Sequence, residues 1–195
     1  MPESTSSSTG TDPHVYVTIL AGGIGSRFWP ASTPGRPKQL LPLASDEPLI
    51  VETVNRALGL VPQARLRILA SDRLAEQILE VLPGLGPETF MVEPQARGTA
   101  PVLAWAAAEL IKVDPAAVIV SLHADHIIKP KTAFVNLLRD AAGWPRETGQ
   151  LFTISVPPSR PETGYGYIEP GEPLPSPTDL RAFNVGAFHE KPNID

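Results

Sequence analysis

The sequence contains no cysteine, which excludes disulfide bonds and thiolate metal sites. This absence fits a reducing cytoplasm, where we expect the protein to reside. No apolar run approaches the length of a membrane span, so no transmembrane helix and no membrane partner are predicted. The formal net charge is -5, and the charges are scattered rather than gathered in blocks of one sign. Nucleic acid is therefore not an expected partner.

Residues 1–13 are rich in Ser, Thr, Gly and Pro and have almost no apolar side chains. Such a segment buries too little surface to offset its loss of conformational entropy, so we predict a disordered tail. It has neither the basic start nor the apolar core of a secretory signal. Residues 14–195 are long enough for one sizeable domain, and 42% of the sequence is hydrophobic.

Apolar runs and helical spacings alternate along the next part of the chain. Strands are predicted over residues 15–20, 66–70, 89–92, 117–122 and 151–156. Helices are predicted over residues 49–60, 99–113 and 133–144, with Thr99 as the N-cap of the second of these. A further amphipathic helix is predicted to contain Leu74, Ile78 and Val81. This alternation indicates an α/β fold with a Rossmann-like, mostly parallel sheet. Beyond Val156, the Pro- and Gly-rich chain has two extended segments, 166–169 and 182–189, which are predicted to pair as antiparallel strands.

A glycine-rich segment follows the first predicted strand: Leu20-Ala21-Gly22-Gly23-Ile24-Gly25-Ser26-Arg27. Glycines allow backbone N–H groups to approach an anion closely, so the segment suits a phosphate. It fits neither common fingerprint: Phe28 stands where the Rossmann pattern needs glycine, and the Walker A ending is missing. A tight turn without a ligand is the alternative. Arg27, and Lys38 eleven residues later in a Pro-bracketed loop, favour phosphate binding.

Two stretches carry a family resemblance. The glycine loop, continued by Phe28-Trp29-Pro30 and then Pro37-Lys38-Gln39-Leu40-Leu41-Pro42, resembles the signature of the sugar-1-phosphate nucleotidyltransferases. The Trp-Pro and Lys-Gln pairs resemble the mannose-1-phosphate guanylyltransferase branch. In molybdenum-cofactor guanylyltransferases, which share a Gly-Gly…Arg loop, the lysine follows much sooner. The second stretch, Glu93 to Pro101, is similar to the family's Glu-Pro-x-x-Arg-Asn-Thr-Ala-Pro, with Gly98 in place of Asn.

The resemblance implies a reaction and a set of binding residues. GMP would pass from GTP to mannose 1-phosphate, giving GDP-mannose and pyrophosphate, with Mg²⁺ as cofactor and GTP and mannose 1-phosphate as partners. Arg27 and Lys38 would be catalytic. The resemblance assigns nucleotide binding to Leu20, Ala21, Gly22, Gly23, Gly25, Ser26, Glu93, Arg97, Gly98 and Thr99.

Asp125 lies between two histidines, just after a predicted strand. A carboxylate at the carboxyl end of a strand is well placed for Mg²⁺ bridging triphosphate oxygens, and the resemblance assigns Asp125 that role. His123 departs from the family's usual Pro. Zinc is the alternative, but Mg²⁺ prefers oxygen ligands, and we expect His123 and His126 not to converge readily on one ion. Local hydrogen bonding that orients the loop is the expectation for both histidines.

The last third of the chain is expected to bind the sugar phosphate. Residues 163–168 resemble the family segment that contacts the sugar, which implicates Gly164, Tyr165 and Gly166. Glu190 and Lys191 resemble the family's Glu-Lys-Pro pair, which holds sugar hydroxyls and the sugar phosphate. Family members are longer, with a second metal-binding Asp further on. We therefore expect an incomplete C-terminal side, weak or absent turnover by this chain alone, and a homo-oligomer only in a full-length form.

Two other functions stay open on the sequence. Another sugar 1-phosphate or another base would give a different nucleotidyltransferase with the same machinery. A shortened chain without the second carboxylate would act as a non-catalytic nucleotide-sugar-binding protein.

Overall fold

The structure, a computed structural model, describes residues 12–23, 28–33, 35–95, 97–175 and 180–193. The chain forms two compact units that divide between Ala142 and Gly143, and each unit is described by itself. Within the described ranges, no helix is both long and apolar enough to cross a membrane. The predicted tail falls mostly in residues 1–11, which lie outside the described residues. Asp12 is described, and its carbonyl accepts hydrogen bonds from Val15 N at 3.1 Å and Arg65 Nη1 at 2.6 Å.

The first unit is built on a four-stranded parallel sheet. Its strands are β1 (Val15–Leu20), β2 (Leu66–Ala70), β3 (Phe90–Val92) and β4 (Val118–His123), in the order β3-β2-β1-β4. β1 pairs on both sides, and its side chains are buried on both faces of the sheet. The chain winds outward from β1 in both directions, and all carboxyl ends lie at one edge. The predicted mostly parallel sheet is confirmed.

Four helices cover the sheet: α1 (Leu49–Leu58), α2 (Asp72–Val81), α3 (Thr99–Val113) and α4 (Lys131–Ala141). Apolar residues three and four positions apart give α1, α2 and α4 a face that packs against alternate residues of the strands. This larger core includes Val17, Ile19, Ile50, Val54, Ile68, Ile78, Val135 and Leu138. On the opposite face of β2, Leu69 packs with Val102 and Ala106 of α3. The sheet is thus covered on both sides.

The bounds of the elements agree with the sequence in some places and differ in others. β2 and α3 occupy the predicted residues. The helix predicted over 133–144 begins earlier, at Lys131, and ends at Ala141, and a separate short helix α5 (Trp144–Thr148) follows. The N-cap of α3 is Gly98 with φ 96°, so the assignment of Thr99 as N-cap is wrong and Thr99 is the first helical residue.

The strand predicted over residues 151–156 does not form. No described strand pairs with this segment, and the side chains of Leu151 and Val156 are exposed. A strand needs a neighbouring edge for its backbone N–H and C=O groups, and an apolar pattern cannot supply one. This prediction was wrong.

The second unit contains α5 and an antiparallel hairpin of β5 (Gly166–Leu174) and β6 (Ala182–Glu190). The antiparallel pairing predicted for this region is therefore confirmed. The strands approach closely at their centre, where a Cβ on Gly171 would lie 3.1 Å from the Asn184 carbonyl oxygen. Trp144 meets Phe152 edge to face, with ring centroids 5.3 Å apart.

Candidate active site

A cleft of about 420 Å³ opens in the first unit at the carboxyl edge of the sheet. It lies where the strand order reverses between β1 and β4, which is where open parallel sheets usually bind ligands. Its lining combines backbone and polar groups with a small apolar patch from Leu69 and Val102. The lining residues are Leu20, Gly22, Gly23, Lys38, Gln39, Leu69, Glu93, Gly98, Thr99, Val102, His123 and Asp125.

The buried side chain of Gln39 holds the start of the glycine loop that follows β1. This side chain is 1% exposed, and its Nε2 donates to the carbonyls of Ala21 at 2.8 Å and Gly23 at 2.7 Å. Ala21 N donates to Leu69 O at 3.0 Å, which ties the start of the loop to the sheet. Gly22 and Gly23 line the cleft, whereas Ala21 is fully buried and supports them. The predictions for Gly25, Ser26 and Arg27 fall outside the described residues.

Lys38 and Asp125 form an ion pair inside the cleft. The Nζ of Lys38 donates to Oδ2 of Asp125, and the two side chains are 21% and 29% exposed. Burial pushes the pKa of Asp125 upward, but the hydrogen bond and positive charge of Lys38 outweigh it, so the pKa is lowered. Asp125 is thus an ionised carboxylate with a cation already beside it. The structure brings together two groups predicted from segments 87 residues apart.

The two histidines that flank Asp125 lie on the same side of their loop. The rings of His123 and His126 are stacked, with centroids 4.8 Å apart and an interplanar angle of 28°. The nearest ligand atoms of His123, Asp125 and His126 all lie within 4.8 Å of one another. The two histidines therefore lie close to Asp125, but a donor spacing of up to 4.8 Å is wider than one ion requires, so their expected failure to converge stays a prediction. Burial is the main reason that the pKa of His126 is lowered, and His123 lowers it further.

Arg56 holds this loop and was missed on the sequence. It is 3% exposed on α1, and its Nη2 donates to the carbonyl of His126 at 2.7 Å and to Thr53 Oγ1 at 2.6 Å. Burial lowers the pKa of Arg56, while nearby Glu52 raises it in part. The sequence signal was an arginine on the apolar side of an amphipathic helix, where a charge needs a partner.

The stretch after β3 brings a helix N-terminus to the cleft. Gly98, the N-cap, and Thr99, the first residue of α3, line the cleft, and the first amides of a helix have no intrahelical partner and suit an anion. Glu93 also lines the cleft and accepts a hydrogen bond from Arg97 N at 3.4 Å. The Arg97 side chain is exposed, bonds to Gln95, and does not line the cleft. Its predicted nucleotide contact stays a prediction.

The five residues predicted for the sugar side meet at one end of the hairpin in the second unit. Gly166 pairs with Glu190, and Lys191 N donates to the carbonyl of Tyr165 at 3.0 Å. Lys191 has φ 45°, and its Nζ donates to Glu190 Oε1 at 2.5 Å. Gly164 accompanies them, with its N–H donating to a carboxylate oxygen of Glu162 at 3.2 Å. Their role in binding a sugar phosphate stays a prediction.

Comparison with known proteins gives consistent results. The family model described as Nucleotidyl transferase matches residues 16–195. A mannose-1-phosphate guanylyltransferase of Escherichia coli K12 is 36% identical over 185 residues, which is 93% of this chain and 38% of that protein. The corresponding enzyme of Salmonella montevideo is 38% identical over 182 residues, covering 91% of this chain and 38% of the relative. This chain therefore spans well under half the length of these curated relatives.

A solved structure is similar as well. The crystal structure titled mannose-1-phosphate geranyltransferase, from Thermus thermophilus, superposes with a TM-score of 0.75 at 30% identity, covering 92% of this chain and 51% of that one. The fold of this chain is thus shared with this neighbour. On the match over residues 16–195, the chain belongs to the nucleotidyl transferase family.

Proposed function

We propose that this chain provides the nucleotide site of a guanylyltransferase that transfers GMP from GTP to mannose 1-phosphate. The observation that carries the proposal is the cleft itself. Lys38, the Gly22-Gly23 backbone and the N-terminus of α3 all face one space beside the carboxylate of Asp125. The choice of GTP and mannose 1-phosphate is supported by the names of the relatives.

Both reactants are anions, so catalysis must come mainly from positioning and from neutralising charge. The amides of the glycine loop and of the first turn of α3 are suited to phosphate oxygens. Lys38 supplies a movable positive charge for the reacting phosphates. We expect Arg27, Gly25 and Ser26 to bind the β- and γ-phosphates in the same way.

Asp125 suits Mg²⁺, which binds through one or two carboxylates together with substrate phosphate oxygens and water. It is ionised, half-buried and part of the lining of the cleft, so it meets this requirement. When bound, Mg²⁺ would neutralise negative charge on the triphosphate. Lys38 remains the cation that this chain itself contributes.

The proposed reaction is a single displacement. A phosphate oxygen of mannose 1-phosphate attacks the α-phosphorus of GTP, the bond from that phosphorus to the bridging oxygen breaks, and pyrophosphate leaves with the electron pair. No covalent intermediate with the protein is needed. Glu190 is proposed to receive sugar hydroxyls, Lys191 to hold the sugar phosphate, and the backbone of Gly164, Tyr165 and Gly166 to approach the ring.

Titration calorimetry on the purified chain tests the nucleotide site. With Mg²⁺ present, GTP should bind more tightly than ATP, UTP or dTTP. Lys38→Ala should weaken GTP binding by about tenfold or more, equal to about 1.4 kcal/mol. Lys112→Ala is the matched control, since Lys112 is an exposed lysine of α3 paired with Glu109, and it should change binding by less than about twofold.

A tighter fit to another nucleoside triphosphate would contradict the assignment to GTP and favour a different sugar-1-phosphate nucleotidyltransferase. Pyrophosphate release is measured with mannose 1-phosphate, and again with a panel of other sugar 1-phosphates. Pyrophosphate release would exclude a non-catalytic nucleotide-binding role, whereas tight GTP binding without release is the result expected of this chain alone. No binding of any nucleotide would refute the proposed site.

A further inference from the structure

We propose that His123, Asp125 and His126 bind a transition-metal ion such as Zn²⁺ or Co²⁺, in addition to the role proposed for Asp125 with Mg²⁺. The donor atoms of the three side chains already lie within 4.8 Å of one another. In a tetrahedral site with bonds of about 2.1 Å, donors are separated by roughly 3.4 Å. The two imidazoles must rotate out of their stacked arrangement to bring the set to that spacing.

The backbone of this loop is held in place before any ion arrives. Ala124 is 1% exposed, and its N–H donates to Leu20 O at 3.0 Å. The carbonyl of His126 receives the buried guanidinium of Arg56 at 2.7 Å. These bonds fix the loop to β1 and α1 on either side of Asp125. The side chains therefore need to move, but the backbone does not, which lowers the entropy cost of binding an ion.

The chemistry of the donors selects the kind of ion. Imidazole nitrogens suit zinc, cobalt, nickel and copper, whereas Mg²⁺ prefers oxygen ligands. Two imidazoles and one carboxylate make up the protein ligands of many catalytic zinc sites, with a fourth position left for water or substrate. The exposed side of His123 and His126 leaves room for that fourth ligand. A single carboxylate without them would show no such preference.

Lys38 competes for the same carboxylate. Its ammonium group donates to Oδ2 of Asp125, so a divalent ion bound there meets a positive charge beside it. Removing that charge should strengthen binding of the metal, while it should weaken binding of GTP. Lys38→Ala is thus expected to shift the two affinities in opposite directions. That opposite response separates the metal site from a general loss of structure.

The test uses the purified chain without nucleotide and without an affinity tag. Co²⁺ is titrated while its visible d–d absorption is recorded, and Zn²⁺ is then added in competition. One Co²⁺ per chain is expected, displaced by Zn²⁺ at equal concentration but not by an excess of Mg²⁺. His123→Ala and His126→Ala should each weaken Co²⁺ binding by about tenfold or more. His189→Ala is the control, because this histidine also lies beside a carboxylate, Glu169, yet it should change binding by less than about twofold.

Three results would overturn the proposal: no Co²⁺ binding by the parent chain, displacement of Co²⁺ by Mg²⁺ at similar concentration, or binding that survives both histidine substitutions. The first two need no variant, so a folding defect cannot hide them. GTP binding in Mg²⁺ is measured separately on the parent chain. Intact GTP binding with any of these results would reject the transition-metal site and leave the nucleotide site standing.

Discussion

At the scale of single residues, the contacts of Gln39 explain why a side-chain amide is needed directly after Lys38. Its NH₂ group bonds to two carbonyls of the glycine loop, so the carbonyls of Ala21 and Gly23 are turned toward Gln39. A carboxylate of the same size could not donate these bonds and would repel both oxygens. Lys38 and Gln39 therefore have different roles. Lys38 supplies a positive charge to the cleft, and Gln39 fixes the conformation of the glycine loop.

At position 98, the backbone conformation alone determines which amino acids are tolerated. Its φ of 96° and ψ of 177° fall in a region that is essentially restricted to glycine. A Cβ there would meet nothing within 4 Å, so space is not the limit. We expect Gly98→Ala to lower the free energy of unfolding by about 1–3 kcal/mol. Urea denaturation followed by circular dichroism measures this change.

The matched control is Gly143→Ala, because a Cβ at Gly143 would also meet nothing within 4 Å. Gly143 has φ -71° and ψ -33°, which any residue adopts. Its substitution should be neutral or slightly stabilising, since alanine restricts the unfolded chain. Equal losses at both positions would show that the strain at Gly98 is not the cause.

The sequence could predict part of the site because its motifs resemble those of a known family and because parallel sheets bind ligands at the carboxyl ends of their strands. Lys38, Glu93 and Asp125 were assigned to one site, and all three line the observed cleft. Arg56 could not be placed in this way. Its bond to the carbonyl of His126 spans 70 residues and depends on how α1 packs against the loop that follows β4. A contact between residues so far apart in the sequence cannot be predicted from a local pattern.

At the scale of elements, Arg56 links α1 to the loop that carries Asp125. Arg56→Met keeps most of the apolar stem but leaves the carbonyl of His126 without this donor, so stability should fall by about 1–3 kcal/mol. Arg56→Lys, which can still donate one bond, should recover part of the loss.

Arg73→Met on the exposed side of α2 is the control and should change stability by less than about 0.5 kcal/mol. Chemical denaturation of the four proteins, including the parent, makes the comparison. A loss from Arg56→Met no larger than that of the control would contradict the link.

Elements with strong patterns were predicted best. The long alanine- and leucine-rich α3 and the buried β2 have the predicted bounds, because in each case the pattern and the packing agree. Residues 151–156 have a strand-like composition, yet no described strand is paired with them. Composition reports what a side chain prefers, whereas strand formation also depends on a partner elsewhere in the chain.

At the scale of the whole molecule, the two units differ in how much of them is buried. Five of the six residues of β1 are buried, and its backbone pairs with β2 on one side and β4 on the other. No residue of β6 is buried, and among the described residues the strand pairs with β5 alone. Opening β1 would expose the larger apolar core, whereas opening the hairpin exposes little that is not already in water.

We therefore expect amide hydrogen exchange to separate the two units. Peptides covering Val15–Leu20 should exchange most slowly, and those covering Ala182–Glu190 should exchange at least about tenfold faster, as measured by mass spectrometry. Phe90–Val92, a short strand that pairs with β2 alone in the part of the chain that the structure describes, should fall between them and serves as an internal reference. Protection of the hairpin equal to that of β1 would mean that both units open only in one global transition, so that burial does not set local stability here.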